Sequence, residues 1–251
     1  KHLSNINFKS ERIKIMAERK VKIGVIGVGN MGSGHAMMFS DGRCPEFELV
    51  GIADPDPVRR NYVKEKCQLD DSACFESWED ILALPKFADA AIIATQDQMH
   101  FEPAMKAIEL GYHLLLEKPA APTPEECYKI ADAANKKGVH VIICHVLRFT
   151  PFFRTLKKII DDGKIGKIMN IVHQEGVGNI HQSHSYVRGN WHNEAASSPM
   201  ILAKCSHDMD ILLWLIDAEC ERVIDLLVSL AFHVPSCVSR HGADRDDHVF
   251  L

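Results

Sequence analysis

The sequence predicts an α/β fold: a doubly wound parallel sheet in an N-terminal domain, followed by an α+β open-sheet domain that reads as incomplete. Three observations carry this expectation. From Val21 to about Thr150, short apolar runs alternate with amphipathic helical stretches, the order that builds a parallel sheet covered on both faces. Two of the runs, "AIIA" (91–94) and "VIIC" (141–144), are apolar on successive residues, as strands buried on both sides require. A glycine-rich bend, Gly27-Val28-Gly29-Asn30-Met31-Gly32, stands between the first strand and the first helix.

Taken in order, "KIGVIG" (22–27) is a strand and Gly32 to Phe39 a short helix. "FELVGIAD" (47–54) is the second strand, "DPVRRNYVKEKC" (56–67) an amphipathic helix and "WEDILAL" (78–84) a further helical turn. "DAAIIAT" (89–95) is a strand, "FEPAMKAIELG" (101–111) a helix closed by Gly111, and "YHLLLEKP" (112–119) a strand. In "TPEECYKIADAANKKG" (123–138) Thr123 is the expected N-cap, with Pro124 at the first helical position, Glu126 three after the cap and Gly138 past the end. "VHVIICHV" (139–146) follows as a strand. Beyond Arg148 the pattern changes to a helix ending at Gly163, an alternating strand over 166–176, and a polar, histidine-rich stretch over 176–198. A helix starting at His207 and a strand-like run over 222–232 come next. The expected division is 1–20 as an N-terminal extension, 21–150 as a dinucleotide-binding domain and 151–251 as a substrate and oligomerisation domain. Within the extension, Met16 reads as the natural start.

Composition narrows the function classes. A net charge of -5 over 251 residues, with no basic block, argues against a nucleic-acid partner. The longest apolar runs, such as "ILLWLI" (211–216), fall far short of the roughly 20 residues a bilayer span needs, and no secretory signal pattern opens the chain. The eight cysteines form no C-x-x-C pair, which suits free thiols in a reducing cytoplasm.

The bend is G-x-G-x-x-G between strand and helix, and "ADPD" ends the second strand with Asp54 twenty-two positions past Gly32. Gly27 permits the tight turn, Gly29 lets a pyrophosphate reach backbone N–H groups, and Gly32 allows close helix-to-strand contact. The helix N-terminus favours the phosphates, and Asp54 can accept from both hydroxyls of an adenosine ribose. A glycine-rich turn of another α/β protein, or a methyltransferase nucleotide site, stays open on these residues alone; a P-loop is excluded by the missing G-K-[S/T]. A carboxylate at Asp54 repels a 2′-phosphate, so NAD is expected rather than NADP. Arg59 and Arg60 read as solvated helix surface.

With the stretch "DAAIIATQDQMHFEPAMKAIELGYHLLLEKPAAPTPEE" the chain resembles the glucose-fructose oxidoreductase and inositol dehydrogenase (Gfo/Idh/MocA) family. Thr95 at a strand end, His100, the helix ending in Gly111, and Glu117-Lys118-Pro119 match in order. "RFTPFFRTLKKIIDDGKIGKI" and "HDMDILLWL" resemble the family's interdomain segment and active-site helix. The resemblance implies a Rossmann domain and an open-sheet domain, with oxidation or reduction of sugars, cyclitols or related polyols. Pairing of copies through the second-domain sheet is also implied. It adds Thr95, His100, Glu117 and Lys118 to the glycine loop and Asp54 as cofactor contacts.

Lys118 lies at the carboxyl edge of the expected sheet, where ligands of open α/β sheets sit. Partial burial there lowers a lysine's pKa toward working pH. Lys118 and His207 are the expected catalytic pair, with His207 at a helix start kept neutral by the dipole and Ser206 as cap. Substrate contacts are expected from Trp191, Lys204 and Asp210 and from Arg148, for which bracing the two domains is the preferred reading. Many family members carry Asp four positions before the histidine; here Ala203 stands there, followed by Lys204, which suits an acidic or phosphorylated substrate or a second proton carrier. His173, His181, His184 and His192 lack H-E-x-x-H or comparable spacing, so no metal is expected. The expected activity is NAD-dependent hydride transfer between nicotinamide C4 and a secondary alcohol or ketone. A glycosidase using transient oxidation and a non-catalytic NAD(H)-binding regulator remain as alternatives.

Overall fold

Successive apolar residues in a strand must find cover on both faces, and here they do. The computed structural model describes residues 19–222 apart from 190, 191, 194–196 and 219. Strands β1 (Val21–Ile26), β2 (Phe47–Ala53), β3 (Cys74–Phe75), β4 (Ala90–Ile93), β5 (His113–Leu116) and β6 (Val141–Ile143) form one sheet in the order 3-2-1-4-5-6. All five pairings are parallel. The order reverses between β1 and β4, which opens a crevice at their carboxyl ends.

Alternation along each strand divides the core in two. Ile23, Val25, Ile52 and Ile92 pack with Val28, Ala36 and Val63 on one face. Val28 comes from the bend after β1, and helices α1 (Asn30–Ser40) and α2 (Pro57–Cys67) supply Ala36 and Val63. Ile26, Ala53, Ile93, Leu114 and Leu116 point the other way, against Ile81, Ala104, Ile108 and Ile130. These come from α3 (Trp78–Ala83), α4 (Phe101–Glu109) and α5 (Pro124–Lys137).

Local chemistry sets the helix ends. Asp56 caps α2 by accepting from Val58 N at 2.8 Å, with Pro57 at the first position. Thr123 caps α5 as expected, accepting from Glu126 N at 3.3 Å, and Gly138 closes it at φ 72°. Thr123 also donates its hydroxyl to the Glu126 carboxylate at 3.1 Å.

After Arg148 lie α6 (Pro151–Asp161), the short α7 (Asn179–Gln182) with a π turn over Ser183–Val187, and α8 (Met200–Ile216). The strand expected over 166–176 is not formed; that stretch is irregular, with Met169 and Val172 exposed. A strand exists only through pairing, and no described strand lies beside it. The run expected over 222–232 falls outside the described residues beyond Arg222. Among the described residues, no helix is long and apolar enough to cross a membrane, and the seven described cysteines are free thiols.

Candidate active site

The glycine bend occupies the carboxyl end of β1, beside the end of β4. Gly27 has φ 84°, and a Cβ there would stand 2.7 Å from the Ala94 carbonyl oxygen. At Gly32 a Cβ would overlap the Gly27 carbonyl at 1.8 Å, so α1 can approach the strand only because that atom is missing. Gly29 differs: its Cβ would enter open space. Gly29 is the N-cap of α1 and provides no side-chain cap, which leaves the first-turn N–H groups of Asn30, Met31 and Gly32 without side-chain acceptors. The cradle thus has bare donors at a helix N-terminus, open space over Gly29 and an acid at the next strand end. It fits a dinucleotide pyrophosphate and ribose.

Asp54 is 5% exposed. One carboxylate oxygen accepts from Val28 N at 2.8 Å and the other from Asp56 N at 2.9 Å. Each oxygen keeps a second lone pair, enough for ribose hydroxyls. Arg60 is not solvated surface: it donates to the Asp54 carbonyl at 2.6 Å and pairs with Glu76 at 3.4 Å. Arg59 pairs with Asp56 at 3.3 Å. Both guanidinium groups are held by acids or carbonyls.

At the ends of β4 and β5, Thr95 donates to the Met99 carbonyl at 3.0 Å. His100, 1% exposed, departs from its expected place in the cofactor cleft. Its ring nitrogens lie 2.8 Å from the Pro119 carbonyl and 3.1 Å from the Thr95 carbonyl. The ring ties the two strand ends together from inside. Glu117 takes His35 Nε2 at 3.2 Å on one oxygen and Lys118 N at 3.3 Å on the other. Burial works to raise this carboxyl, but His35 and Lys118 outweigh it and hold it below the usual range. The neighbouring Cys144 thiol is pushed up to about 12 by burial and by Glu117.

Lys118 precedes Pro119 through a cis peptide bond, and its Nζ donates to the Ala203 carbonyl of α8 at 3.1 Å. Burial holds its pKa below the ordinary lysine value with help from Lys204, against the opposing pull of Asp97 and Glu117. Asp97 is 3% exposed. Sequence reasoning passed over it, although an acid just beyond a strand end at the crevice was a visible signal.

Helix α8 starts seven residues before His207, with Pro199 as its N-cap. His207 is therefore mid-helix, Ser206 is no cap, and no helix-end dipole acts on the imidazole. The apolar, helix-favouring "MILAK" ahead of the histidine continues the helix upstream. His207 is still depressed below the ordinary histidine value: burial acts first, then the electrostatic influence of Lys118, His145 and Lys204. Its Nδ1 is buried without a hydrogen-bond partner. Tyr186 is pushed up to about 12 by burial and by Asp97.

Asp210 and Arg148 do not face a substrate independently; they face each other. Arg148 Nε and Nη2 donate to the two Asp210 oxygens at 2.7 and 2.5 Å, and His145 Nδ1 adds a contact at 3.1 Å. With the guanidinium 5.9 Å from the Trp214 ring, this brace fixes α8 to the segment after β6. Lys204 makes no ion pair among the described residues, and its charge is felt at Lys118, His181 and His207. Trp191 lies outside the described residues.

Comparison with known proteins places this geometry. The family model for the oxidoreductase family with an NAD-binding Rossmann fold, GFO/IDH/MocA, matches residues 21–145, and the GFO/IDH/MocA C-terminal domain matches residues 153–249. An inositol 2-dehydrogenase of Corynebacterium glutamicum is 26% identical over 198 residues, 78% of this chain and 54% of that protein. Scyllo-inositol dehydrogenase from Lactobacillus casei, solved with NAD(H) and scyllo-inositol, superposes with TM-score 0.68 at 22% identity. That match covers 79% of this chain and 57% of the other. The WlbA dehydrogenase from Bordetella pertussis, solved with NADH and UDP-GlcNAcA, gives 0.64 at 25% identity over 79% and 59%. The first two curated relatives are spanned over 54% and 62% of their length. In fold and in sequence, this chain belongs to the GFO/IDH/MocA oxidoreductase family, and residues 21–145 are its NAD-binding Rossmann domain.

Proposed function

We propose that the chain is an NAD-dependent oxidoreductase acting on a secondary alcohol or its ketone in a sugar, cyclitol or related polyol. The observation that carries this reading is Lys118. A lysine held below its ordinary pKa by burial stands at the carboxyl edge of the sheet, bonded to the helix that carries His207. Inositol and nucleotide-sugar dehydrogenases among the relatives support the substrate class.

Gly27 to Gly32 would hold the pyrophosphate, Asp54 the adenosine ribose, and Glu117 with Lys118 the nicotinamide ribose. NAD, when bound, supplies the hydride acceptor. The remaining work falls to the chain. Lys118 Nζ orients the substrate hydroxyl, and His207, held below the ordinary histidine value by burial and by the charges of Lys118 and Lys204, accepts the hydroxyl proton. Lys204 contributes positive charge without a partner of its own, which suits a substrate with an acidic substituent. The Asp210–Arg148 brace holds His207 at its depth in the cleft. Asp54 favours NAD over NADP, because the nearby arginines are already engaged.

A panel of cyclitols, sugars and sugar acids, followed at the NADH absorbance band, tests the reading. Turnover of at least one polyol with NAD, preferred over NADP, is expected. NAD binding without turnover of any panel member would favour a non-catalytic binder.

A further inference from the structure

Two groups of metal-ligating side chains come together among the described residues, and they differ in one respect. In the first, His35, Glu117 and Cys144, His35 and the backbone N–H of Lys118 occupy the Glu117 oxygens, so it reads as a closed hydrogen-bond network on the cofactor side. The second joins His173 and Glu175 of the irregular stretch to Asp208 of α8, with one ligand atom from each lying within 4.8 Å of the others. Here Asp208 is 7% exposed and its Oδ2 is buried with no hydrogen-bond partner. A buried carboxylate oxygen left unpaired costs on the order of 1–3 kcal/mol, and such atoms call for an explanation. The Glu175 carboxylate makes no hydrogen bond or ion pair among the described residues, and His173 remains open to solvent.

We propose that His173, Glu175 and Asp208 form a binding site for a divalent transition-metal ion of the Zn²⁺ type. One imidazole and two carboxylates make a nitrogen–oxygen donor set that suits such ions. The closest pair, His173 Nε2 and Asp208 Oδ1, stands 2.6 Å apart, a distance that a shared proton spans. An ion bound at about 2.0–2.2 Å to each ligand replaces that proton and opens the pair to roughly 3.0–3.6 Å, the separation of two ligands about one metal. The proton leaves to solvent as the metal enters, and no other bond changes. Entry is open, because His173 and Glu175 are exposed while Asp208 forms the floor. The ion would fix the irregular stretch onto α8 one residue past His207. Spacing along the chain hides this site, since Asp208 joins the other two only in the fold.

The test uses metal alone and does not depend on the dehydrogenase reading. Zn²⁺ is titrated calorimetrically into the purified chain, and Co²⁺ is followed by its ligand-field absorption. One saturable equivalent per chain is expected, with affinity weakened at least about ten-fold in His173→Gln and in Glu175→Gln. Glu175 is exposed and makes no ion pair among the described residues, so Glu175→Gln should keep the parent Tm in chelator, whereas His173→Gln loses an ion-pair partner of the buried Asp208 and is compared with its own metal-free Tm. Asp208→Asn should weaken binding as well, while His181→Gln with His184→Gln should not. Metal should raise the Tm of the parent more than that of His173→Gln. No saturable binding to the parent, or equal binding by parent, His173→Gln and Glu175→Gln, overturns the site and leaves the proposed NAD chemistry untouched.

Discussion

The NAD-binding domain and the part of the chain proposed to carry out catalysis are held by different physics. In residues 21–145 the elements are fixed by local rules: alternating faces, side-chain caps at Asp56, Ser77 and Thr123, and glycines whose Cβ atoms have no room. The part beyond Arg148 is tied down by few polar contacts over long sequence separations. Lys118 reaches the Ala203 carbonyl, Gln98 donates to the Ser197 carbonyl at 3.2 Å, and Arg148 grips Asp210. A dinucleotide site can thus be built from backbone and glycine, whereas the reacting groups depend on one helix docking in one place.

That contrast can be broken most strongly at Lys118. Lys118→Ala should lower kcat by about 10²–10⁴-fold, while NAD affinity by calorimetry falls far less, because the glycine bend, Asp54 and Glu117 remain. A loss of NAD affinity as large as the loss of activity would make the ribose contact, not the reaction, the lysine's main role. Next comes Gly32→Ala, where the added methyl meets the Gly27 carbonyl. Destabilisation of about 3 kcal/mol or more is expected, read as a fall in Tm and in denaturation midpoint.

The brace between the halves is weaker. Asp210→Ala should cost about 1–2 kcal/mol, allowing for solvent around the partly exposed Arg148. Its main effect should fall on kcat, because α8 loses its anchor. Arg148→Ala combined with Asp210→Ala should cost less than the two single changes added together.

The smallest effect is a pH dependence. Burial holds His145 below the ordinary histidine value despite the pull of Asp210. The unfolded chain takes up this proton near pH 6.5 and the folded chain only at lower pH, so the unfolded state binds more protons in between. Stability present above about pH 6.5 should therefore fall as the pH drops through the depressed folded value. Denaturation midpoints between pH 7.5 and 5.5 should show this slope, and His145→Gln should reduce it, leaving the share of the likewise depressed His207.

Legibility in the sequence follows the same division. Thr123 and Gly138 could be read from neighbours three or four positions away, and the glycine bend from six consecutive residues. His207 is visible as a residue but not in its setting, because Ser206 reads as a cap while Pro199 caps the helix a full two turns earlier. Its depressed pKa survives for another reason, since burial and Lys118 do what the dipole was expected to do. Asp210 offered no hint that Arg148, sixty-two positions away, would claim both its oxygens. His100 looked like a cleft residue by motif, yet the Pro119 carbonyl, nineteen positions on, and the nearby Thr95 carbonyl flank its ring. Such pairings are set by tertiary approach, which no local pattern encodes.

Calorimetric titration of NAD into the parent chain and into Gly29→Ala tests the central claim most directly. The added methyl enters open space, so folding should be unchanged within about 0.5 kcal/mol. The account predicts one NAD bound per parent chain and affinity at least about ten-fold weaker in the variant, as the methyl fills the place of the pyrophosphate. No saturable heat from the parent, or equal affinity in both proteins, would contradict it.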